Sequence, residues 1–252
     1  MRKILLVGGA RPNFMKVAPL WREFQKHRDA FQTLLVHTGQ HYDPVMSDAF
    51  FKDLNLPEPD RHLGVGSGTH AEQTAAVMVA FEKICLEEQP DMVVVVGDVN
   101  STMACAITAK KLGIAVAHIE AGLRSHDWAM PEEVNRVLTD SISDYLFTPS
   151  KDANVSLLKE GIKKSRIKLV GNIMIDSLIE AKPKAESLSY YRELGLAKAS
   201  YGALTLHRPS NVDEGTQFQK IMGQFAKLNG NMPLVFPIHP RTRKNLDVFG
   251  LR

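Results

Sequence analysis

Apolar residues in this chain fall into short runs separated by longer amphipathic stretches. Lys3-Ile-Leu-Leu-Val-Gly-Gly9 reads as a buried strand that turns through glycine. Comparable runs lie at 33–37, 92–96, 114–119, 145–148 and 166–170, each bounded by turn-forming or charged residues. Between them, helix-period patterns cover 13–26, 44–54, 69–88, an Ala-rich stretch after Asp98, 131–143 and 151–160. Pro12 falls near the first turn of its helix, where a missing N–H is harmless. Ser150 stands where it can cap the helix that follows it. The loop over 56–70 carries Gly64-Val-Gly-Ser-Gly68, which follows no strand and reads as a connection. Strands alternating with helices predict an α/β fold, a doubly wound parallel sheet with helices on both faces.

The pattern restarts after a polar stretch. Residues 202–206 and 234–238 read as strands, 215–228 as a helix, and one more short helical pattern ends the chain. The domain organisation expected is a first Rossmann-like domain over 1–171, a linker with a short helix over 172–200, and the first part of a second Rossmann-like domain over 201–252. Two strands cannot complete a doubly wound domain, so this reading takes the second domain as incomplete and the chain as cut short.

Composition narrows the class without deciding it. The 252 residues suffice for one large or two modest domains, and 44% apolar with 23% charged residues is ordinary for a globular protein. A net charge of +3 gives no case for nucleic acid. No run approaches membrane-spanning length, and the apolar run 4–7 is too short for a signal peptide, so a cytoplasmic enzyme is expected. Cys85 and Cys105 lie in apolar helix patterns and read as buried reduced thiols. The nine histidines show no metal-ligand spacing, so neither a metal nor another cofactor is expected; His27 and His62 read as surface residues.

The chemistry concentrates between 91 and 136. Two strand-length runs end at carboxylates, Asp98 and Glu120. In an open parallel sheet ligands bind beyond the carboxyl ends of the strands, so the two acids should flank one crevice. Asn100 or Ser101 can cap the next helix, whose N-terminus favours an anion. This arrangement suits proton transfer on a phosphorylated substrate, and is equally compatible with two polar residues ending strands. Gly8-Gly9-Ala-Arg-Pro-Asn13 lacks the G-x-G-x-x-G spacing, and the second strand ends in Thr38-Gly39 where a dinucleotide site needs an acid. No Walker-type phosphate loop occurs. Arg11 and Lys16, at and just inside a helix start, read as a diphosphate site; for Lys16 a solvated helix lysine is the alternative. Of Glu132 and Glu133, at least one reads as a partner of the helix dipole.

Taken together, Gly9-Ala-Arg-Pro-Asn-Phe-Met-Lys-Val-Ala-Pro-Leu20, Thr38-Gly-Gln-His41, Gly97-Asp98, Glu120-Ala-Gly-Leu-Arg124, Pro131-Glu-Glu-Val-Asn-Arg136, Leu206-His-Arg208 and Pro237-Ile-His239 occur in the order and spacing of one family. The chain resembles the non-hydrolysing UDP-N-acetylglucosamine 2-epimerases along its whole length. The resemblance implies two Rossmann-like domains in the glycosyltransferase-B arrangement, a homodimer when full length, and interconversion of UDP-N-acetylglucosamine and UDP-N-acetylmannosamine. It implies Asp98, Glu120 and Glu132 as catalytic carboxylates and His207 as the catalytic-site histidine of the second domain. It places Arg11, Lys16, Arg136 and His239 along the UDP-sugar and its diphosphate, and Gln40 and His41 on a second, regulatory UDP-sugar. The expected route eliminates UDP to a 2-acetamidoglucal and adds it back with inversion at C2. The alternatives are a hydrolysing 2-epimerase that releases UDP and N-acetylmannosamine, and a UDP-sugar-binding fragment without turnover. One departure from the family's Gly-Thr-Arg-Pro-Glu opening is Asn13, which removes a charge and is expected to bear on substrate contacts.

Overall fold

Seven parallel strands form the centre of the first of two units into which the chain divides, Met1–Lys182 and Pro183–Arg252. The computed structural model describes residues 1–39 and 51–251. The helix expected over 44–54 therefore lies largely outside the described residues, as do Gln40 and His41 and the side chain of Arg11.

The strands of the first unit are β1 (Arg2–Gly8), β2 (Phe31–His37), β3 (Arg61–His62), β4 (Met92–Val96), β5 (Ala115–Ile119), β6 (Tyr145–Thr148) and β7 (Ile167–Leu169). They pair in the order β3-β2-β1-β4-β5-β6-β7, every described pair parallel. The order reverses between β1 and β4, which is the switch point where such sheets open a crevice. The helices are α1 (Arg11–Lys26), α2 (His70–Glu88), α3 (Asn100–Lys111), α4 (Pro131–Ile142), α5 (Lys151–Lys159) and α6 (Ile173–Leu188).

Side chains alternate between the two faces of a strand, and here both faces are buried. Leu5, Val7, Val93, Val95 and Val116 pack with Val77, Phe81 and Ile84 of α2 and Ala104, Cys105 and Ala109 of α3. Ile4, Leu6, Val94, Val96 and Ile119 pack on the other face with Phe14, Val17 and Ala18 of α1. A near-continuous apolar strand such as Met92–Val96 is the signature of this two-sided burial. Cys85 and Cys105 are buried free thiols, as expected.

Several local expectations are corrected. The N-cap of α3 is Val99, not Asn100 or Ser101, and no side chain caps it. Asn100 is instead spent on a buried polar cluster, its Nδ2 donating to Gln73 Oε1 at 2.8 Å, and Ser101 Oγ lies 2.8 Å from Thr38 Oγ1. Ser150 occupies the N-cap of α5, but its hydroxyl makes no cap hydrogen bond. Helix α6 runs over Ile173–Leu188, inside the 172–200 stretch read as a linker with a short helix.

The second unit holds a two-stranded parallel sheet, β8 (Gly202–Ala203) and β9 (Leu234–Val235), with α7 (Pro209–Val212), α8 (Gly215–Asn229) and α9 (Pro240–Val248). Val212, Phe218 and Leu246 form its core, joined by Leu206, Met222 and Phe249. Both strands are shorter than the sequence pattern suggested, since each has only the other to pair with in the described sheet; the last rung is Leu204 N–H to Val235 O at 2.9 Å. Among the described residues no helix is long and apolar enough to cross a membrane.

Candidate active site

The carboxyl ends of β4 and β5 set the site. Val96 and Ile119 are register partners, and Gly97 N–H donates to Ile119 O at 3.1 Å. Asp98 and Glu120 therefore leave the sheet from neighbouring strand ends, as the sequence pattern implied. The turn between Val96 and Asp98 calls for glycine by its backbone angle, and a side chain there would also press on its neighbours. Gly97 has φ +67°, and a Cβ there would lie 2.9 Å from Lys16 Nζ and 3.2 Å from Asn13 Nδ2. Glu120 itself has φ +72°, a left-handed conformation that is strained for a side chain of its kind and that clusters at functional positions.

Asp98 faces α4. Its Oδ2 accepts from Arg136 Nη2 at 2.6 Å and Nε at 3.1 Å. Arg136 Nη1 donates to Glu133 Oε2 at 2.7 Å. Burial alone would raise the Glu133 pKa, but backbone N–H groups of Ser125 and His126 and the Arg136 guanidinium bring it down to about 2. Glu133 is thus a buried anchor of the loop before α4, and the acid that faces outward is its neighbour Glu132. For Arg136, burial works against the charge, while Glu133 and Asp98 together hold its pKa above the usual arginine value. Asp98 and Glu132 line one pocket of about 300 Å³ together with His70, Gln73, Asn100 and Asn135. Asn135 Nδ2 donates to Asp98 O at 2.9 Å, tying α4 to the end of β4.

Glu120 faces α1. Its carboxylate pairs with Lys16, whose side chain is 12% exposed, so Lys16 is no solvated surface lysine. Glu120 opens on a larger cavity of about 550 Å³ on the α1 face of the sheet, walled by Ile4, Leu20, Phe24, Val94 and Phe147. The structure therefore brings Asp98 and Glu132 into one pocket and sets Glu120 at the adjacent strand end, against Lys16.

Asn13 is placed differently from expectation. It is 1% exposed, its Oδ1 accepts from Gly9 N–H at 3.2 Å and Ala10 N–H at 2.9 Å, and its Nδ2 donates to Val96 O at 3.0 Å. A neutral amide both accepts and donates, and that double use fixes the glycine turn to the end of β4. Its role is structural rather than a substrate contact.

In the second unit His207 and His239 follow β8 and β9, with ring centroids 5.5 Å apart and both residues exposed. His239 Nδ1 accepts from Arg241 N–H at 3.2 Å and so caps α9. Arg11 opens α1, but its side chain lies outside the described residues, as do Gln40 and His41. His70 and Gln73 were not singled out from the sequence, and Asn100 only as a helix cap, because their proximity depends on α2 packing beside α3. Asn135 could have been found, since it sits inside the Pro131–Arg136 string. Among the described residues no group of three or more His, Cys, Asp or Glu is placed to hold a metal.

A family model described as UDP-N-acetylglucosamine 2-epimerase matches residues 22–250. A UDP-N-acetylglucosamine 2-epimerase homolog of Methanococcus maripaludis is 45% identical over 251 residues, 99% of this chain and 69% of its own length. A UDP-2,3-diacetamido-2,3-dideoxy-D-glucuronate 2-epimerase of Pseudomonas aeruginosa is 40% identical, covering 99% of this chain and 70% of its own length. The crystal structure of the Methanocaldococcus jannaschii UDP-GlcNAc 2-epimerase in complex with UDP-GlcNAc and UDP superposes with a TM-score of 0.86 at 43% identity, over 99% of this chain and 69% of that one.

Proposed function

Because the chain belongs to the UDP-N-acetylglucosamine 2-epimerase family, we propose that it inverts C2 of a UDP-linked 2-acetamido sugar, with UDP-N-acetylglucosamine as the substrate and UDP-N-acetylmannosamine as the product. The hydrogen on C2 has no neighbouring carbonyl and is barely acidic. Departure of UDP from C1 makes it so, because charge developing toward an oxocarbenium ion weakens the C2–H bond. A carboxylate takes the C2 proton, the C1–O bond breaks with its electron pair leaving on UDP, and a 2-acetamidoglucal forms. Re-addition of UDP to C1 with protonation of C2 from the opposite face completes the inversion without hydrolysis. The hydrogen moves as a proton throughout, so the route requires no redox cofactor.

One observation carries this reading: each strand-end carboxylate is held by its own cation, Asp98 by Arg136 and Glu120 by Lys16. A diphosphate is a stronger competitor for such cations than a single carboxylate. Its arrival draws Lys16 and Arg136 to the leaving group, where charge grows. Asp98 and Glu120 are then released to act as bases or acids. Glu132, which no ion pair engages among the described residues, serves as the third acid. Arg11, His207 and His239 assist on the nucleotide side, with His207 as the catalytic-site histidine. Gln40 and His41 contact a second UDP-sugar. The active form is a homodimer, which light scattering checks.

The test is product analysis with UDP-N-acetylglucosamine. UDP-N-acetylmannosamine with UDP still attached is the expected product. Free N-acetylmannosamine would identify a hydrolysing enzyme instead. UDP-2,3-diacetamido-2,3-dideoxyglucuronate assayed in parallel decides the sugar, and faster turnover of that compound would overturn the substrate assigned here.

A further inference from the structure

His118 is fully buried on β5 and has no part in the reaction described above. Its Nε2 lies 2.8 Å from Gly97 O and its Nδ1 lies 2.7 Å from Asp140 Oδ1. A carbonyl oxygen only accepts, so Nε2 carries a proton. On the other side, Asp140 Oδ2 accepts from Gly122 N–H at 3.0 Å and pairs with Arg124 Nη1 at 2.7 Å. Burial would raise the Asp140 pKa, but His118 and Arg124 hold it below the usual carboxylate range. Asp140 is therefore an acceptor, and the ring donates from both nitrogens. The charged groups around it are Asp140 from α4, Arg124 from the loop after β5, and Glu160 behind Arg124, whose Oε2 is 2.6 Å from Arg124 Nη2.

The three segments joined at this ring are those that carry the proposed acids. Gly97 immediately precedes Asp98. Gly122 follows Glu120 by two residues. Asp140 stands on α4, as do Glu132 and Arg136. We propose that His118 is a positioning residue: by donating to Gly97 through Nε2 and to Asp140 through Nδ1, it holds the Asp98 turn, the Glu120 turn and helix α4 in one register. Such a tie is called for physically, because Glu120 is held at φ +72°, a left-handed conformation that is strained for a residue with a side chain, while Gly97 at φ +67° is unstrained but has the freedom of glycine. A strained turn persists only where its surroundings over-determine it. A buried ring set between a carbonyl and a carboxylate does this while leaving neither ring nitrogen without a partner.

The positioning role rests on the C2 epimerisation proposed above, and its test separates the two. His118→Phe keeps an aromatic ring and removes both donors. His118→Gln retains one donor that can reach Gly97. The expected result is a fall in kcat of about 100-fold for the Phe variant, as for an ångström-scale misplacement of reacting groups, with KM unchanged. His118→Gln should recover part of that loss. If the Phe variant does not fold, His118→Gln and Asp140→Asn carry the test, each with kcat lowered and KM unchanged. A folded variant with wild-type kcat, or a loss that appears in KM alone, overturns the proposal. Nitrogen NMR of the wild-type ring is independent of turnover. Protons on both His118 nitrogens support the tie, and a ring with a single proton overturns it. If the wild-type protein neither exchanges nor epimerises, the reaction is wrongly assigned, and the ring spectrum still decides whether the tie exists.

Discussion

Lys16, in the second turn of α1, forms an ion pair with Glu120 at the end of β5, passing directly over Gly97 at the end of β4. The contact spans the switch point of the sheet and joins the first glycine turn of the chain to the acid of the fifth strand. Glu120→Gln keeps the shape of the side chain and removes its basicity. Exchange at C2 should fall by about 10²–10⁴-fold, the usual contribution of a general acid or base, with the thermal midpoint little changed. Wild-type exchange in a folded Glu120→Gln variant would remove Glu120 from the mechanism.

Gly97→Ala tests the turn beneath that contact. The left-handed conformation costs an L-residue about 1–2 kcal/mol. The new methyl would lie 2.9 Å from Lys16 Nζ, the far end of a flexible chain, so the ammonium gives way rather than the backbone. The variant should fold, lose about 1–2 kcal/mol of stability, and lose more activity than that stability change explains. Denaturant melts beside initial rates check both.

Asn13→Asp removes one donor from a buried position. The carboxylate can still accept from Gly9 and Ala10, but it sets a negative oxygen against the Val96 carbonyl, which keeps its hydrogen bond from Thr102 Oγ1 at 2.8 Å and loses the one from Asn13. Losing that hydrogen bond and burying a charge against a carbonyl oxygen costs about 1–3 kcal/mol. Urea unfolding should show a loss of at least that size, and an unchanged midpoint would contradict the structural role assigned to Asn13.

Acid should destabilise the first unit through two named groups. Glu133 is held at about 2, against an ordinary value of 4.5, chiefly by backbone and Arg136 hydrogen bonds that overcome the cost of burial. Its folded-state pKa is depressed, so the stability it contributes is present above pH 4.5 and is lost as pH falls toward 2; a shift of this kind corresponds to about 3 kcal/mol at full effect. His37 is held at about 4 by burial and by the neighbouring His62, against an ordinary 6.5. The unfolded chain binds a proton there that the folded chain refuses, so stability also falls between pH 6.5 and 4. Unfolding free energy measured against pH should decline in two stages, and Glu133→Gln should remove the lower one.

The layout of the first unit was legible because a two-sided parallel sheet leaves a strong mark: Met92–Val96 and residues 4–7 are apolar on both faces, and the helices between them are amphipathic. The placement of Asp98 and Glu120 followed from where those runs stop. Caps were less legible. Asn100 and Ser101 are good cap residues by type, but tertiary partners on α2 and in the Thr38 loop claimed their side chains. Asn13 looked like a lost charge because a sequence does not show that its amide meets two donors and one acceptor. Glu132 and Glu133 look alike in sequence, and the folded loop at 125–126 is what distinguishes the buried anchor from the outward acid. His118 could not be singled out at all, since its partners come from 21 and 22 positions away.

The most direct measurement is deuterium incorporation at C2 of UDP-N-acetylglucosamine incubated with this chain in heavy water. Proton abstraction from C2 predicts deuterium at that carbon in both UDP-N-acetylglucosamine and UDP-N-acetylmannosamine, with UDP still attached to the sugar. Recovery of the starting sugar nucleotide with its C2 hydrogen intact, under conditions where the chain is folded, would contradict the account.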